Sequence, residues 1–409
     1  MSLRLEKRIF LKRANIFLPS SKSIANRLLI INALLNNIEA IENMPTSKDT
    51  QDLIAALQSD SYDIHVGDGG TTFRFVLAYF FITNQEKIIE ATTSLKSRPH
   101  KTLFETLEKL GAKIEFLNKA YQLPIKICKR DQLEIQISEL EVDVDQSSQF
   151  LTALLLISPS FNKEFKFFWK GNFVSKSYID MTLYLMSQHG IKISKKPNSI
   201  TIHPSFYQRK SFKVEADWSS AAFFYALAAI QECPIEWVLI DLFKSGLQGD
   251  ERIADIMIEF GIESKETEQG VLIRNGNKFK DTIEIDFNNC PDLFPPIAIC
   301  AAMKKVNLIG LQVQHLHHKE SDRLIELKGF LEQHGSSVKI LETMDGEMVT
   351  VDNSNFQVAE NINVFSQNDH RLTMAYSLLS YRSIVTIDDE TVVKKSFPDF
   401  WKVFDSISC

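Results

Sequence analysis

The 409-residue sequence has few cysteines, no long hydrophobic run and no excess of positive charge. Its five cysteines are an odd number without metal-type spacing, which favours reduced thiols in the cytoplasm over a disulfide framework. The longest apolar runs, residues 150–157 and 221–230, are too short to span a bilayer. The first residues lack the apolar segment of a signal peptide, and the net charge of −6 disfavours a nucleic-acid-coating surface. We therefore expect a cytoplasmic protein with neither a membrane nor a nucleic-acid partner.

A metal site is not expected either. His315, His317 and His318 cluster, but Glu320 is the only further ligand type at suitable spacing.

A hydrophobic content of 44% and a charged content of 24% are typical of a globular protein. The length suggests two or three domains.

The sequence contains an internal repeat of roughly seventy residues. A small or polar cluster precedes an apolar helix six times, marked by Lys22, Gly70, Ser148, Ser219, Asp292 and His370. A helix that ends in glycine before a short strand occurs four times, at Gly111, Gly190, Gly261 and Gly335. All but the first interval of the two series lie between 71 and 79 residues. Any α/β protein alternates such elements, but that alternative does not explain why the clusters are rich in Ser, Thr, Lys and Gly.

The segment 19–27 predicts an anion site at the start of a helix. Lys22 and Ser23 follow Pro19 and two serines, and an apolar run begins at Leu28. Ser23 and Arg27 are four residues apart, so they share one helix face. Unpaired N–H groups, a hydroxyl and two cations suit a phosphate or carboxylate. A serine cap beside two solvated cations is the alternative interpretation.

Further cations recur near helix starts and turns. They are Arg74, Arg98, Lys319, Arg323, Arg371 and Lys395. Each alone is more simply explained as a solvated surface charge. Together they predict a site for two anionic substrates, with Glu320 or Asp292 available for proton transfer.

Ten ordered motifs give the chain a resemblance, nearly from end to end, to the 5-enolpyruvylshikimate-3-phosphate (EPSP) synthase family, the 3-phosphoshikimate 1-carboxyvinyltransferases. The motifs are Pro-Ser-Ser-Lys-Ser-x-x-Asn-Arg at 19–27, Gly-Asp-Gly-Gly-Thr-Thr-x-Arg at 67–74, Arg98-Pro99, Ser-Ser-Gln-Phe-Leu-Thr-Ala-Leu at 147–154, Val-Ser-Lys-Ser-Tyr-Ile-Asp at 174–180, Asp217-x-Ser-Ser, Pro291-Asp292, Lys-Glu-Ser-Asp-Arg at 319–323, Asn-Asp-His-Arg at 368–371 and Lys-Ser-Phe-Pro-Asp at 395–399.

The resemblance implies an α/β fold of two domains, the inside-out α/β barrel of enolpyruvyl transferases, with three βαβαββ-type repeats in each domain. One domain is expected at 19–214, with most contacts to shikimate 3-phosphate. The other is expected at 1–18 plus 215–409, with the acid and base residues and part of the phosphoenolpyruvate site. A monomer is expected, because one chain would hold the whole site.

The resemblance also implies a reaction without metal or organic cofactor. The enolpyruvyl group of phosphoenolpyruvate moves to the 5-hydroxyl of shikimate 3-phosphate by addition and elimination, and phosphate leaves. Asp292 would be the base, Glu320 the proton donor to carbon, and Lys22 would assist the departing phosphate. Shikimate 3-phosphate would contact Lys22, Ser23, Arg27, Ser147, Ser148, Gln149, Ser175, Tyr178, Asp292, His315 and Lys319. Phosphoenolpyruvate would contact Lys22, Gly70, Arg98, Gln149, Arg323, Arg371 and Lys395.

Five positions depart from the family pattern: Ser20, Asp68, Phe75, Ser177 and His315. Ser20 replaces a glycine, Phe75 and Ser177 replace frequent prolines, and His315 stands where some relatives have asparagine. Asp68 replaces an asparagine, so an extra carboxylate would oppose an anionic substrate unless it is turned away or paired.

Two alternatives remain beside this interpretation. The sister transferase that acts on UDP-N-acetylglucosamine typically has Lys-Asn in the first motif and often a cysteine before the arginine at the position of Arg98. Here Ser23 follows Lys22, and residues 91–97 contain no cysteine. A non-catalytic binder of phosphorylated metabolites is favoured only by Asp68, whereas Asp292, Glu320 and Lys22 disfavour it.

Overall fold

The structure is a computed structural model that describes residues 2–38, 41–98, 100–131, 134–142, 148–170, 176–276 and 278–409. Over these residues no helix combines the length and the apolar character needed to cross a membrane. The chain forms two compact units, which we call the N unit (Lys22–Val214) and the C unit (Met1–Ser21 and Glu215–Cys409). The allocation of substrate contacts to the two halves stays a prediction.

Short strands alternate with helices along the chain. The strands are β1 (Leu3–Leu5), β2 (Arg13–Phe17), β3 (Ile41–Glu42), β4 (Asp63–His65), β5 (Lys87–Glu90), β6 (Ile114–Phe116), β7 (Ile125–Ile127), β8 (Glu139–Glu141), β9 (Phe165–Phe168), β10 (Ile193–Lys196), β11 (Ser199–Ile202), β12 (Phe212–Lys213), β13 (Glu236–Ile240), β14 (Ile262–Thr267), β15 (Gly270–Asn275), β16 (Thr282–Asp286), β17 (Asn307–Leu311), β18 (Ser337–Thr343), β19 (Gly346–Asp352), β20 (Asn361–Val364) and β21 (Ile384–Ile387).

The α-helices are α1 (Lys22–Leu34), α2 (Lys48–Gln58), α3 (Gly70–Ile82), α4 (Thr93–Lys96), α5 (Lys101–Lys109), α6 (Ser148–Ile157), α7 (Lys176–Gln188), α8 (Trp218–Ile230), α9 (Ile253–Ile256), α10 (Phe294–Lys304), α11 (Arg323–Gln333), α12 (His370–Ser377) and α13 (Phe400–Ser406). Short 3₁₀ helices span Ser158–Phe161, Gly249–Arg252, Pro291–Leu293, Gln314–His318, Leu378–Tyr381 and Glu390–Lys395.

One sheet pattern recurs in both units. Two parallel strands are joined through a helix, and an antiparallel hairpin completes the sheet. In the C unit β16 pairs with β17 in parallel, and the hairpin β18–β19 adds through β19. The sheets β4-β5-β7-β6 and β8-β9-β11-β10 of the N unit have the same order, as has β2-β13-β15-β14. With the smaller sheets β1-β21-β20 and β12-β3, the described residues form six open sheets, three in each unit.

Three buried helices form the core of each unit. In the N unit α1, α3 and α6 contact one another, and in the C unit α10 contacts α8 and α12. Every residue of α8 is buried, which explains an apolar sequence on all its faces rather than on one stripe. These six helices are the ones that the polar clusters of the repeat precede. Each unit therefore buries three helices whose first turns carry polar side chains.

The four helix-ending glycines adopt the left-handed conformation that the repeat predicts. Their φ angles are +93° at Gly111, +88° at Gly190, +88° at Gly261 and +93° at Gly335. At Gly335 a Cβ atom would also lie 2.5 Å from the carbonyl oxygen of Asn355. Only glycine accommodates both the positive φ and this close approach.

Candidate active site

In the N unit, Lys22 is oriented by a carboxylate from the neighbouring helix. Lys22 begins α1, and its Nζ lies 2.9 Å from Oδ2 of Asp49 in the first turn of α2. The Lys22 side chain is 20% exposed and that of Asp49 7%. The ammonium group is thus held at the start of α1 while part of the Lys22 side chain stays accessible.

Arg27 is wholly buried and ties α1 to α7. Its Nε donates to Oγ1 of Thr182 at 2.8 Å, and its terminal nitrogens donate to the backbone oxygens of Ser23 at 2.6 Å and Tyr178 at 3.4 Å. Its guanidinium carbon lies 5.5 Å from the centre of the Tyr178 ring. Burial lowers the pKa of Arg27 to about 10, with Tyr178 opposing the shift. Ser23, Arg27 and Tyr178 therefore form one group, in which Arg27 contacts the protein through all three nitrogens.

Two arginines converge on the start of α3. A Cβ atom built on Gly70 would lie 3.2 Å from a terminal nitrogen of Arg74 and 3.2 Å from one of Arg98. The guanidinium of Arg74 also lies over the Phe150 ring, 4.9 Å from its centre. The positive end of a 13-residue helix and two guanidinium groups suit an anion.

His100 stays neutral beside these cations. Burial and then the charge of Arg74 lower the pKa of His100 to about 4, with a smaller contribution from Arg98. Its Nε2 lies 3.0 Å from the backbone oxygen of Leu95, which fixes the tautomer with a proton on that nitrogen. The imidazole therefore adds no third positive charge here.

The unusual carboxylate at Asp68 is paired. The hydroxyl group of Thr92, the N-cap residue of α4, donates a hydrogen bond to Oδ1 of Asp68. An extra carboxylate near an anionic substrate was expected to be turned away or paired. This expectation is met in part, because Oδ1 of Asp68 has a hydrogen-bond donor.

In the C unit, Arg323 is the centre of an ionic network. It begins α11 and is only 1% exposed. Its three nitrogens lie 2.8 Å from Oδ1 of Asp292, 2.7 Å from Oε2 of Glu320 and 2.7 Å from Oδ2 of Asp369. Burial lowers the pKa of Arg323, but Asp369, Glu320 and Asp292 together raise it above the ordinary value.

Asp292 is held between cations. Its Oδ2 lies 2.8 Å from Arg371, and its Oδ1 lies 3.8 Å from Nζ of Lys319. Burial by itself raises the pKa of Asp292, but Arg371, Lys319 and Arg323 bring it well below the usual range. Burial lowers the pKa of Lys319, and Asp292 opposes this. The Asp292 carboxylate is thus ionised at neutral pH.

Glu320 bridges two cations of the same network. Its Oε2 accepts from Arg323, and its Oε1 lies 3.2 Å from Nζ of Lys395, at the end of the 3₁₀ helix Glu390–Lys395. Arg323 therefore holds both predicted proton-transfer groups, Asp292 and Glu320, through adjacent nitrogens.

His315 lies close enough to this network to feel its charges. Burial and then Lys319 lower the pKa of His315 to about 3, while Asp292 opposes the shift. Neither ring nitrogen has a hydrogen-bond partner within the described part of the chain. A neutral imidazole with one donor and one acceptor can bind a hydroxyl group.

Sequence reasoning missed three acidic residues. Asp49 orients Lys22, and Asp369 caps α12 and binds Arg323. Asp250 accepts a hydrogen bond from the Ser219 hydroxyl, and burial and then Asp292 raise its pKa to about 7, against the charge of Arg371. Asp369 could have been predicted as a helix cap, since it precedes His370-Arg371 at a helix start. Nothing in the sequence around Asp49 and Asp250 identified them as site residues beyond their residue type.

The structure brings most of the predicted site residues together within their own units. In the C unit Asp292, Lys319, Glu320, Arg323, Arg371 and Lys395 are connected by ion pairs. In the N unit Gly70 adjoins Arg98, and Arg27 contacts both Ser23 and Tyr178. Gln149 is the second residue of α6. The predicted residues Ser147 and Ser175, and the side chain of Ser148, lie outside the described residues.

These features define an α/β protein of two similarly built units, with clustered cations and carboxylates suited to proton transfer on small polyanions. Across the described ranges, no group of three or more His, Cys, Asp or Glu side chains could hold a metal ion.

Comparisons with known proteins identify the family. A sequence model of EPSP synthase (3-phosphoshikimate 1-carboxyvinyltransferase) matches residues 55–404. A 3-phosphoshikimate 1-carboxyvinyltransferase of Bacteroides fragilis (strain YCH46) is 32% identical over 392 residues, covering 95% of this chain and 94% of its own. The protein of the same name from Buchnera aphidicola subsp. Schizaphis graminum is 30% identical over 423 residues and covers 96% of each chain.

The fold agrees with this result. The structure of EPSP synthase from Acinetobacter baumannii aligns with a TM-score of 0.77 at 18% identity, covering 100% of this chain and 98% of that one. The chain therefore belongs to the EPSP synthase (3-phosphoshikimate 1-carboxyvinyltransferase) family. The predictions of family, fold class and carboxyvinyltransferase activity are confirmed, and neither alternative function is favoured.

Proposed function

We propose that this chain transfers the enolpyruvyl group of phosphoenolpyruvate to the 5-hydroxyl of shikimate 3-phosphate with Asp292, Glu320 and Lys22 as its reactive groups. The observation that carries these roles is the double contact of Arg323, which holds Asp292 and Glu320 at 2.8 and 2.7 Å. Two carboxyl groups beside one guanidinium can accept and donate protons on opposite sides of the same small substrate.

In the addition step, the hydroxyl oxygen bonds to the central carbon of phosphoenolpyruvate. Asp292 accepts the hydroxyl proton, and Glu320 gives a proton to the methylene carbon. In the elimination step, a methyl proton returns to the Glu320 carboxylate. The bond between carbon and the phosphate oxygen then breaks, and inorganic phosphate leaves with its charge stabilised by Lys22.

The cations explain how substrate binding activates the carboxylates. Arg371 lies 2.8 Å from Asp292, and Lys395 lies 3.2 Å from Glu320. An anionic substrate that binds Arg371 and Lys395 shares their charge with these carboxylates. Because less positive charge then stabilises the ionised forms, both carboxyl groups bind protons more strongly. Phosphoenolpyruvate thereby raises the basicity of Asp292 at the moment when a base is needed.

The substrate contacts in this proposal are those that the family resemblance implies. Arg98 and the start of α3 at Gly70 bind phosphoenolpyruvate, together with Arg323, Arg371, Lys395, Lys22 and Gln149. Shikimate 3-phosphate contacts Ser23, Tyr178, His315 and Lys319, besides Lys22, Gln149, Asp292 and the serines Ser147, Ser148 and Ser175. Arg27 is included in this set, and its contacts to Ser23, Tyr178 and Thr182 support a further role in ordering the first two.

The test is an assay of inorganic phosphate released from shikimate 3-phosphate and phosphoenolpyruvate, with UDP-N-acetylglucosamine as the control acceptor. The proposal is supported if phosphoenolpyruvate releases phosphate with shikimate 3-phosphate as the acceptor but not with UDP-N-acetylglucosamine. Asp292→Asn is expected to reduce turnover at least about 100-fold, since it removes the base. Tight binding of both substrates by the wild-type protein without phosphate release would establish a non-catalytic binder instead.

We infer further that the protein acts as a cytoplasmic monomer. All five cysteines are free thiols, two of them buried. Every predicted reactive group comes from a single chain. Sedimentation equilibrium across the assay concentrations is expected to give the mass of one chain, 46.8 kDa. A constant mass of twice that value contradicts the monomer.

A further inference from the structure

His317 joins the carboxylates of Asp322 and Glu347, close in sequence to the segment that carries Lys319 and Glu320. It lies in the 3₁₀ helix Gln314–His318. Its Nδ1 lies 2.7 Å from Oδ2 of Asp322, and its Nε2 lies 2.8 Å from Oε2 of Glu347 in β19. The imidazole is 24% exposed, so it is accessible to protons from solvent.

Both contacts require N–H donors on the imidazole. Ionised Asp322 and Glu347 only accept hydrogen bonds, and a neutral imidazole has one donor nitrogen and one acceptor nitrogen. In the neutral form one ring nitrogen would direct its lone pair at a carboxylate oxygen. The geometry at 2.7 and 2.8 Å is therefore that of an imidazolium cation between two anions.

Asp322 transmits this contact to the reactive residues. Its second oxygen, Oδ1, accepts a hydrogen bond from the backbone N–H of Ile325 at 3.1 Å and so caps α11. Arg323 is the first residue of that helix, and Lys319 and Glu320 lie between His317 and Asp322. The His317–Asp322 contact thus closes a six-residue loop around both side chains.

Glu347 anchors the loop to the sheet. The backbone N–H of Val313 donates to the backbone oxygen of Glu347 at 3.0 Å, so the start of the 3₁₀ helix is bonded to β19. The Glu347 carboxylate extends this attachment to His317, next to the loop.

We propose that His317 is a positioning residue for this reaction, which as an imidazolium ties Asp322 to Glu347 and so holds Glu320, Lys319 and Arg323 in their reactive arrangement. The proposal rests on the proton-transfer role of Glu320 given above. His317 is not among the residues proposed to contact either substrate.

The charge of His317 makes the arrangement dependent on pH. Burial lowers the pKa of His317, but the hydrogen bonds and charges of Asp322 and Glu347 outweigh burial and raise it. The charge of His317 also acts on His315 of the same 3₁₀ helix. Because the pKa is raised, His317 is protonated and bonds both Asp322 and Glu347 below the ordinary histidine value of about 6.5. The second hydrogen bond is lost as pH rises through the folded-state pKa of His317. Turnover should therefore decline on the alkaline side.

The experiment compares wild type with His317→Gln and His317→Arg in the phosphate-release assay from pH 6 to 9. Glutamine removes the charge, and we expect kcat to fall roughly 10- to 100-fold, as for a displacement of about 1 Å, with a smaller change in KM. Arginine keeps two donors and does not titrate, so it should restore kcat to within about threefold of wild type. It should also abolish the alkaline decline.

His203→Gln is the matched control. His203 also bonds through both ring nitrogens, to Glu164 at 3.0 Å and Ser194 at 2.7 Å. It lies in the N unit just after β11, and β9, β10 and β11 carry no predicted site residue. It should keep wild-type kcat and pH dependence. The proposal is overturned if His317→Gln matches this control, or if His317→Arg is as slow as His317→Gln.

A second measurement does not depend on activity. Nuclear magnetic resonance of protein labelled with ¹⁵N-histidine should show both ring nitrogens of His317 protonated at pH 7, with assignment from the His317→Gln spectrum. A neutral ring at pH 7 overturns the proposal. Absence of phosphate release from the wild type would instead defeat the proposed function, while the spectrum still decides the state of His317.

Discussion

Arg323 and Asp369 form a bidentate ion pair inside the C unit. Nε of Arg323 lies 2.7 Å from Oδ2 of Asp369, and a terminal nitrogen lies 3.2 Å from Oδ1. Oδ1 also accepts the backbone N–H of Arg371 at 2.9 Å, at the start of α12. One carboxylate thus orients two arginines, Arg323 through its side chain and Arg371 through its backbone.

Breaking this pair should destabilise the protein strongly. Asp369→Asn keeps an oxygen that can cap α12 but leaves the Arg323 cation without one buried counterion. We expect the free energy of unfolding to fall by about 3–5 kcal/mol, measured by urea denaturation at pH 7. The control is Asp405→Asn, in a pair with Arg8 in which Asp405 is 58% exposed, where the loss should stay under about 1 kcal/mol. Equal losses in the two variants would contradict the predicted weight of the buried pair.

Glu320→Gln should separate chemistry from binding. Glutamine can still accept a hydrogen bond from Arg323 but cannot donate an acidic proton to carbon. We expect kcat for phosphate release to fall by about 100-fold or more, while the dissociation constant of shikimate 3-phosphate by calorimetry changes less than about threefold. The control is Glu332→Gln in α11, where Glu332 forms a surface ion pair with Lys328. It should leave both kcat and the dissociation constant unchanged. A Glu320→Gln enzyme with wild-type turnover removes Glu320 as the proton donor.

Gly70→Ala should weaken the phosphoenolpyruvate site. The added Cβ would lie 3.2 Å from both Arg74 and Arg98, so the guanidinium groups must move. We expect KM for phosphoenolpyruvate to rise about tenfold, as for a loss of about 1.4 kcal/mol, with a smaller effect on KM for shikimate 3-phosphate. The control is Gly329→Ala in α11, where nothing lies within 4 Å of the new Cβ. It should leave KM unchanged and stabilise the protein by about 0.5–1 kcal/mol. An unchanged KM in Gly70→Ala would show that Arg98 does not need its present position.

His100 should make stability depend on pH in the weakly acidic range. Its folded-state pKa is lowered to about 4 by burial and Arg74, so the unfolded chain binds the proton more readily. Stability therefore falls as pH decreases from about 6.5 towards 4, by up to about 1.4 kcal/mol per pH unit. In His100→Leu this part of the slope should disappear, whatever the overall loss of stability. Urea denaturation at intervals from pH 7 to pH 5 measures this slope. An unchanged slope in His100→Leu would refute the assignment.

The sequence predicted the helix starts of the site better than the contacts made there. Lys22, Gly70 and Asp292 were identifiable because small or charged residues directly precede uniformly apolar runs, a pattern that a buried helix requires. Glycine at 335 was identifiable because a left-handed stop requires it. These are local properties, and residues close in sequence determine them.

The charge partners could not be predicted in the same way. Asp49 and Lys22 are 27 residues apart, and Asp369 and Arg323 are 46 apart, so only tertiary packing brings them together. Arg27 shows the same limit. Its spacing from Ser23 predicted a shared face for a ligand, whereas Arg27 donates to the backbone oxygen of Ser23 itself. Local periodicity predicts the helix face on which a side chain lies but not the groups that it contacts.

The buried helices α8, α10 and α12 of the C unit have a consequence for how this protein can change during evolution. Asp217 caps α8, Asp369 caps α12, and Asp292 lies in the turn before α10, so interior packing and charge placement depend on the same three segments. Enlarging a small interior residue such as Ala222 would push α8 along or away from its neighbours and displace the ionic groups with it. Adaptation to a warmer or colder habitat is therefore expected to proceed through the outer strands and surface turns, while these three helices stay nearly invariant.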